Sequence, residues 1–159
     1  MIPVKKFKRF WEYMADVVGK ITLVFVVSDE SEMIRRIENV NDGEFLLVAV
    51  IPSSNSDLID QDNYKEIENP IVYVLKKSDA SNLDEDDILQ IRHETQELMT
   101  AIKKEMIRLA GENVPCDEYT SLMENLCDGK IHTDPEYNYL GCTGWSFSFD
   151  LKTDGFAAE

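Results

Sequence analysis

One stretch constrains the architecture more than any other. Between Leu83 and Ala110, Ile88, Ile91, Leu98, Met99, Ile102, Met106 and Leu109 recur at spacings of three and four. That is the period of a helix with a single apolar stripe. Asn82 or Asp84 can cap its start, and Glu85, Asp86 and Asp87 suit the positive end of its dipole. Lys103, Lys104 and Arg108 suit the negative end, and Gly111 can close it. About 27 residues at ~1.5 Å each reach about 40 Å. A helix this long, apolar on one side only, needs a sheet to lie across.

The strands for that sheet are legible as apolar runs. ITLVFVV (21–27) and FLLVAVI (45–51) are apolar at nearly every position and rich in β-branched residues, which predicts strands covered on both faces. IVYVL (71–75) follows Pro70 as a third. In GWSFSFDLK (144–152), Trp145, Phe147, Phe149 and Leu151 alternate with polar residues, predicting a strand buried on one side and suited to a sheet edge or to a face partly open to solvent. Ahead of these, Phe7, Phe10, Trp11, Met14, Val17 and Val18 predict an amphipathic helix over 3–18, opened by Pro3 and ended by Gly19. Residues 32–40 predict a short helix or turn, and 119–127 a short helix. The fold class is therefore α+β: an antiparallel or mixed sheet of about four strands, packed by one long helix and an N-terminal helix. Residues 1–152 form one domain in this reading, and 153–159 a flexible C-terminal tail.

Charge narrows the function classes. The 159 residues hold 31 acids and 16 bases, a formal net charge of −15. A binder of nucleic acid irrespective of sequence needs a basic face, so that class is excluded. No apolar run approaches the ~18 residues of a membrane span, and the first twenty residues lack the apolar core of a secretion signal. Three cysteines, Cys116, Cys127 and Cys142, cannot all pair within one chain, which predicts reduced thiols in a cytoplasmic setting.

The residues that carry chemistry elsewhere form no complete constellation here. His93-Glu94-Thr95-Gln96-Glu97 begins like a zinc-protease helix but has Glu97 where the second histidine belongs, so a solvated helix side explains it better. Cys116, Cys127, His132 and Cys142 lack the closely spaced pair that nucleates zinc modules. Cys142, between Gly141 and Gly144, would need His93 or His132 as its base. Asp57, Asp60, Asp62 and Glu66 fail the calcium-loop spacing, since Tyr64 and Lys65 stand where an oxygen ligand and a glycine belong. No glycine-rich phosphate loop is present. No metal and no cofactor is expected.

Two features read as contact surface instead. Lys5, Lys6, Lys8 and Arg9 are four of the 16 bases, set among Phe7, Phe10 and Trp11 in a stretch without acids. Such polarity can bring the basic end of one copy onto the acidic body of another, although the aromatics could equally cover the sheet while the bases face water. The polar stretch 53–69, with Asp57, Asp60, Asp62 and Tyr64, is longer than an idle connection in a compact domain and reads as a docking arm or a mobile loop.

The arrangement resembles small phage tail-terminator or neck proteins, including the tail-completion type of prophages. The likeness spans roughly residues 1–152: the N-terminal helix, FLLVAVI ending at Pro52, the polar excursion, IVYVL, the helix DILQIRHETQELMTAIKKEMIRL, then YNYLGCTGWSFSFDL, with Asp134-Pro135-Glu136-Tyr137 leading into the last strand. The resemblance implies a non-enzymatic virion assembly protein. It would form an oligomeric ring at the tail end or head–tail junction, with further copies of itself and other phage structural proteins as partners. It would act in the host cytoplasm during assembly and then in the virion. An acidic ring would let DNA pass without sticking. One alternative is an acidic inhibitor that imitates DNA in a basic protein groove, using the carboxylates of 84–87 and 57–68. Another is an enzyme or ligand-binding domain built on Cys142 or the loop aspartates.

Overall fold

The computed structural model describes residues 2–57, 65–111, 120–123 and 126–154. Helix α1 (Val4–Val18) follows Pro3 and stops at Gly19, whose φ of 80° lets its N–H reach the Ala15 carbonyl. Strand β1 (Leu23–Val27) leads into α2 (Glu30–Ile37), capped by Asp29, whose carboxylate accepts the Glu32 N–H at 2.8 Å. Then come β2 (Phe45–Val50), β3 (Ser54–Asp57), β4 (Lys65–Glu68) and β5 (Ile71–Lys77). Helix α3 (Glu85–Leu109) begins in a capping box: Asp87 N–H donates to Asp84 at 2.8 Å, and Asp84 N–H to Asp87 at 3.1 Å. The short α4 (Thr120–Met123) precedes β6 (Leu126–Tyr139) and β7 (Cys142–Asp154).

The strands form one mixed sheet of seven, more than the four expected. β1 and β2 run parallel and every other pairing is antiparallel. β4 and β5 meet β7 in one unbroken register, from Lys65 opposite Asp154 to Lys77 opposite Cys142. They are one long strand interrupted at Asn69-Pro70, where Pro70 has no N–H for the ladder. β2 and β3 run alongside it in the same way, their registers differing by a single residue across Ile51–Ser53. Residues 45–57 and 65–77 thus run as one extended antiparallel pair. β7 lies in the interior of the sheet, between β4–β5 and β6, and not at an edge.

Both faces are covered, unequally. On one side α1 and α3 bury Phe7, Phe10, Trp11, Met14, Leu98, Met99, Ile102 and Met106 against Leu47, Ala49, Val72, Val74, Phe147, Phe149 and Leu151. On the other, α2 presses Met33 and Ile37 onto Leu46, Val48 and Leu75, with Cys142 at the margin. β2 alternates strictly between the two clusters, so its apolar run is that of a strand buried on both sides.

Gly144 is required where β7 crosses β5, because a Cβ there would lie 2.2 Å from the Val74 carbonyl oxygen. The β6–β7 turn places Leu140 and Gly141 at φ 53° and 73°, the left-handed pair that a two-residue hairpin needs.

Three expectations change. Residues 53–57 and 65–69 largely extend the hairpin, because Ser54–Asp57 finds a ladder partner in Lys65–Glu68 despite its polarity. The segment predicted as a short helix over 119–127 has helix only at 120–123, and β6 begins at Leu126. β1 packs on both faces as expected, Val24 and Val26 on one side and Leu23, Phe25 and Val27 on the other, and it is the terminal strand of the sheet. Thr153 and Asp154 belong to β7, opposite Glu66 and Lys65, so the C-terminal tail of the sequence reading starts too early.

Candidate assembly surface

The N-terminal helix separates its two kinds of residue by its own period. Phe7, Phe10 and Trp11 are 0–1% exposed. Trp11 sits edge-on to Phe10 at 4.9 Å and to Phe147 at 6.0 Å between ring centres. These three are therefore core, and they leave the interface proposed for them: a side chain packed under the sheet's helix layer has no area to give a partner. Lys5, Lys8 and Arg9 stay on the exposed side and Lys6 is half-buried. Lys8 reaches Glu12, one turn on, at 3.6 Å.

Next to this basic face lies the edge of the sheet. β1 is the terminal strand, and its sequence LVFVV contains no lysine, proline or other edge-blunting residue. The Ile51 N–H donates to the Val27 carbonyl at 2.8 Å, and the Leu23–Leu46 register then directs the odd-numbered amides of β1 to β2. The N–H and C=O groups of Val24 and Val26 consequently face outward. Two clefts flank the strand. One, on the α2 side, is lined by Leu23, Phe25, Arg35, Arg36, Asn39 and Val40. The other, on the α1 side, is lined by Val4, Lys8, Val24, Val26 and Ile51.

Three cations, Lys8, Arg35 and Arg36, rim these clefts, with one acid, Glu32. Glu32 is committed: it accepts from the Ser28 N–H at 2.9 Å and hydroxyl at 3.0 Å, and meets Arg36 at 3.7 Å. The Ser28 backbone bond, the Ser28 hydroxyl and then Arg36 hold its carboxyl below the ordinary range.

The opposite edge is built differently. β6 carries register shifts between Leu126 and Ile131 and between Glu136 and Tyr139, together with Pro135. Those are devices that discourage strand addition. β1 has neither.

Of the acids predicted for the contact surface, Asp57 closes β3, while Asp60, Asp62 and Tyr64 lie outside the described residues. Among the described residues no strand pairs with the outer edge of Ser54–Asp57, since β1 pairs only with Leu46–Val50.

The residues weighed for catalysis are scattered. Cys142 is buried, and desolvation pushes its thiol up to about 11, against a smaller lowering by Lys77. His132 stands opposite Ser148. That is six residues along β7 from Cys142, roughly 20 Å. His93 lies on an exposed side of α3 with Glu97 at 3.7 Å, and His132 pairs with Asp134 at 3.0 Å, also in solvent. Cys116 falls outside the described residues. Among the described residues no three His, Cys, Asp or Glu side chains converge as a metal site, and no helix is long and apolar enough to cross a membrane. Asp84 and Asp87, two of the carboxylates a DNA mimic would display, are engaged with each other's backbone in the α3 cap.

No family model matches the chain, and no curated protein sequence matches it.

The basic cluster was legible in the sequence, but the bare edge beside it was not. The signal was there in ITLVFVV, which lacks the charge or proline that natural edge strands carry. An apolar run that is central and one that is an unprotected edge look alike until pairing is known.

Proposed function

We propose that this chain is a non-enzymatic assembly protein that acts by self-association, and that its setting is the ring at a phage tail end or head–tail junction. The observation that carries the reading is the unblunted apolar edge of β1, rimmed by Lys8, Arg35 and Arg36 in a protein of net charge −15. An edge of this kind on a monomer invites pairing with any passing strand. A designated partner strand turns that liability into a contact. The order of elements, with a helix–sheet block and a long hairpin, supports the phage setting through the resemblance drawn from the sequence.

Negative-stain electron microscopy of the purified full chain tests this. Closed particles of uniform diameter support it, and a field of single small particles at high protein concentration and at low and high salt contradicts it. Removing residues 1–18 is a poor probe, because it also removes Phe7, Phe10, Trp11 and Met14 from the core.

A further inference from the structure

We infer that β1 pairs with β1 of a second copy, antiparallel about a two-fold axis at Phe25, so that two sheets join into one. The inference rests on the self-association reading and names its contact.

The backbone of the edge is complementary to itself. Leu23, Phe25 and Val27 direct their N–H and C=O groups to β2, which leaves Val24 and Val26 facing outward, symmetric about Phe25. In an antiparallel pair, residues directly opposite exchange both of their bonds at alternate positions. Setting Val24 opposite Val26 of the second copy, and Val26 opposite its Val24, uses every outward group of β1. Sliding the second strand by two residues in either direction keeps only one such exchange within Leu23–Val27.

The side chains agree with this register. Val24 and Val26 meet their counterparts on the face packed by α1 and α3, and Leu23 meets Val27 on the face packed by α2. Phe25 meets Phe25 at a position without exchanged bonds, where facing side chains come closest. Phe25 lines both clefts and is only half-buried, as are Leu23, Val24 and Val26, whereas Leu46–Ala49 on the neighbouring strand are buried. A second strand on the outer side covers these four.

Charge selects a second copy and sets its direction. α2 connects two parallel strands, so it runs back antiparallel to β1. Its first turn, where Glu32 holds the Ser28 N–H, lies by the Val27 end, and its last turn, with Arg35 and Arg36, lines the cleft beside Leu23. The rim on this face therefore runs from acid to base. The two-fold axis sets the basic end of each copy against the acidic end of the other, whereas parallel strands would set Glu32 against Glu32 and Arg36 against Arg36. The argument needs no free cation. Glu32 and Arg36 meet at 3.7 Å on an exposed helix side, where such a pair is weakly held, and Lys8 on the other face brings Glu12 with it at 3.6 Å. The contact is isologous, so a ring that contains it holds an even number of chains.

Sedimentation equilibrium of the full chain, with circular dichroism to confirm folding, and disulfide trapping test the contact. Val24→Pro deletes an outward N–H on each copy while leaving the bonds from β1 to β2, and is expected to weaken dimer formation about tenfold or more. Arg35→Glu with Arg36→Glu makes the rim acidic at both ends and is expected to weaken it by a similar factor. Phe25→Cys is expected to give a covalent dimer with oxidised glutathione, above the parent's background, because the two thiols face each other across the axis. Leu23→Cys is expected to stay at background, because its two positions stand four residues out of step, about 13 Å apart. If Val24→Pro fails to fold, the two cysteine variants decide. Trapping at Leu23 and not at Phe25, or variants that associate like the parent, overturns the β1–β1 contact and leaves self-association standing. A parent chain that stays monomeric at every concentration overturns both, and leaves β1 to a strand of another protein.

Discussion

Trp11 shows how far single positions divide between fold and function. On the inner side of α1 it packs against Phe147 and Phe149 in the aromatic stripe of β7, wholly buried. Trp11→Ala should cost about 3–5 kcal/mol, the range for emptying an aromatic site in a core. Lys5→Ala, only six residues away in sequence but on the exposed side of the helix, should change stability by less than about 0.5 kcal/mol. Urea unfolding of both variants checks the contrast, and equal losses would mean that the helix is oriented differently. A second residue-scale prediction concerns acid. Glu94 accepts from Lys76 Nζ at 2.8 Å, and that bond is the main reason its carboxyl is held below the ordinary 4.5. A carboxyl depressed in the folded state stabilises above its unfolded pKa, and the contribution is lost as pH falls through the folded value. Glu94→Gln should therefore be less stable than the parent at neutral pH, with the gap closing below about pH 4.5. A gap that stays constant down to pH 3 would contradict the pairing.

Elements were legible in proportion to how local their cause is. The helix over 83–110 was readable because its stripe, cap candidates and charge gradient are all local, and it appears as Glu85–Leu109. The central strands were readable from continuous apolar runs. β6 was not: DGKIHTDPEYNY is polar with a proline, and its pairing comes from β7 alongside, a long-range cause that leaves little local trace. β3 was missed for the same reason, Ser-Asn-Ser-Asp becoming strand only because Lys65–Glu68 returns beside it. The crossing of β7 over β5 gives a prediction at this scale. Gly144→Ala must displace backbone, since its Cβ would fall 2.2 Å from the Val74 oxygen and 3.0 Å from the Leu75 Cα. The variant should lose at least about 2 kcal/mol, seen as a lowered thermal midpoint, more than a Gly→Ala exchange costs where space is open. An unchanged midpoint would show that β5 and β7 are farther apart than this register requires.

For the whole molecule, the β6 edge of the sheet is guarded and the β1 edge is not, and the β1 edge is rimmed by Lys8, Arg35 and Arg36 in an acidic chain. The candidate surface was half legible: Lys8 could be read directly from the basic stretch of α1, whereas Arg35 and Arg36 reach the same sheet edge only because α2 folds back along β1. Their spacing within ESEMIRRI says merely that they are exposed on a short helix.

Self-association is tested most directly by the mass of the intact chain in solution. Sedimentation equilibrium from low to high protein concentration, at low and at high salt, should show discrete multiples of the 18.3 kDa chain that dissociate as salt screens the cationic rim. A single species of 18.3 kDa under every condition would contradict it.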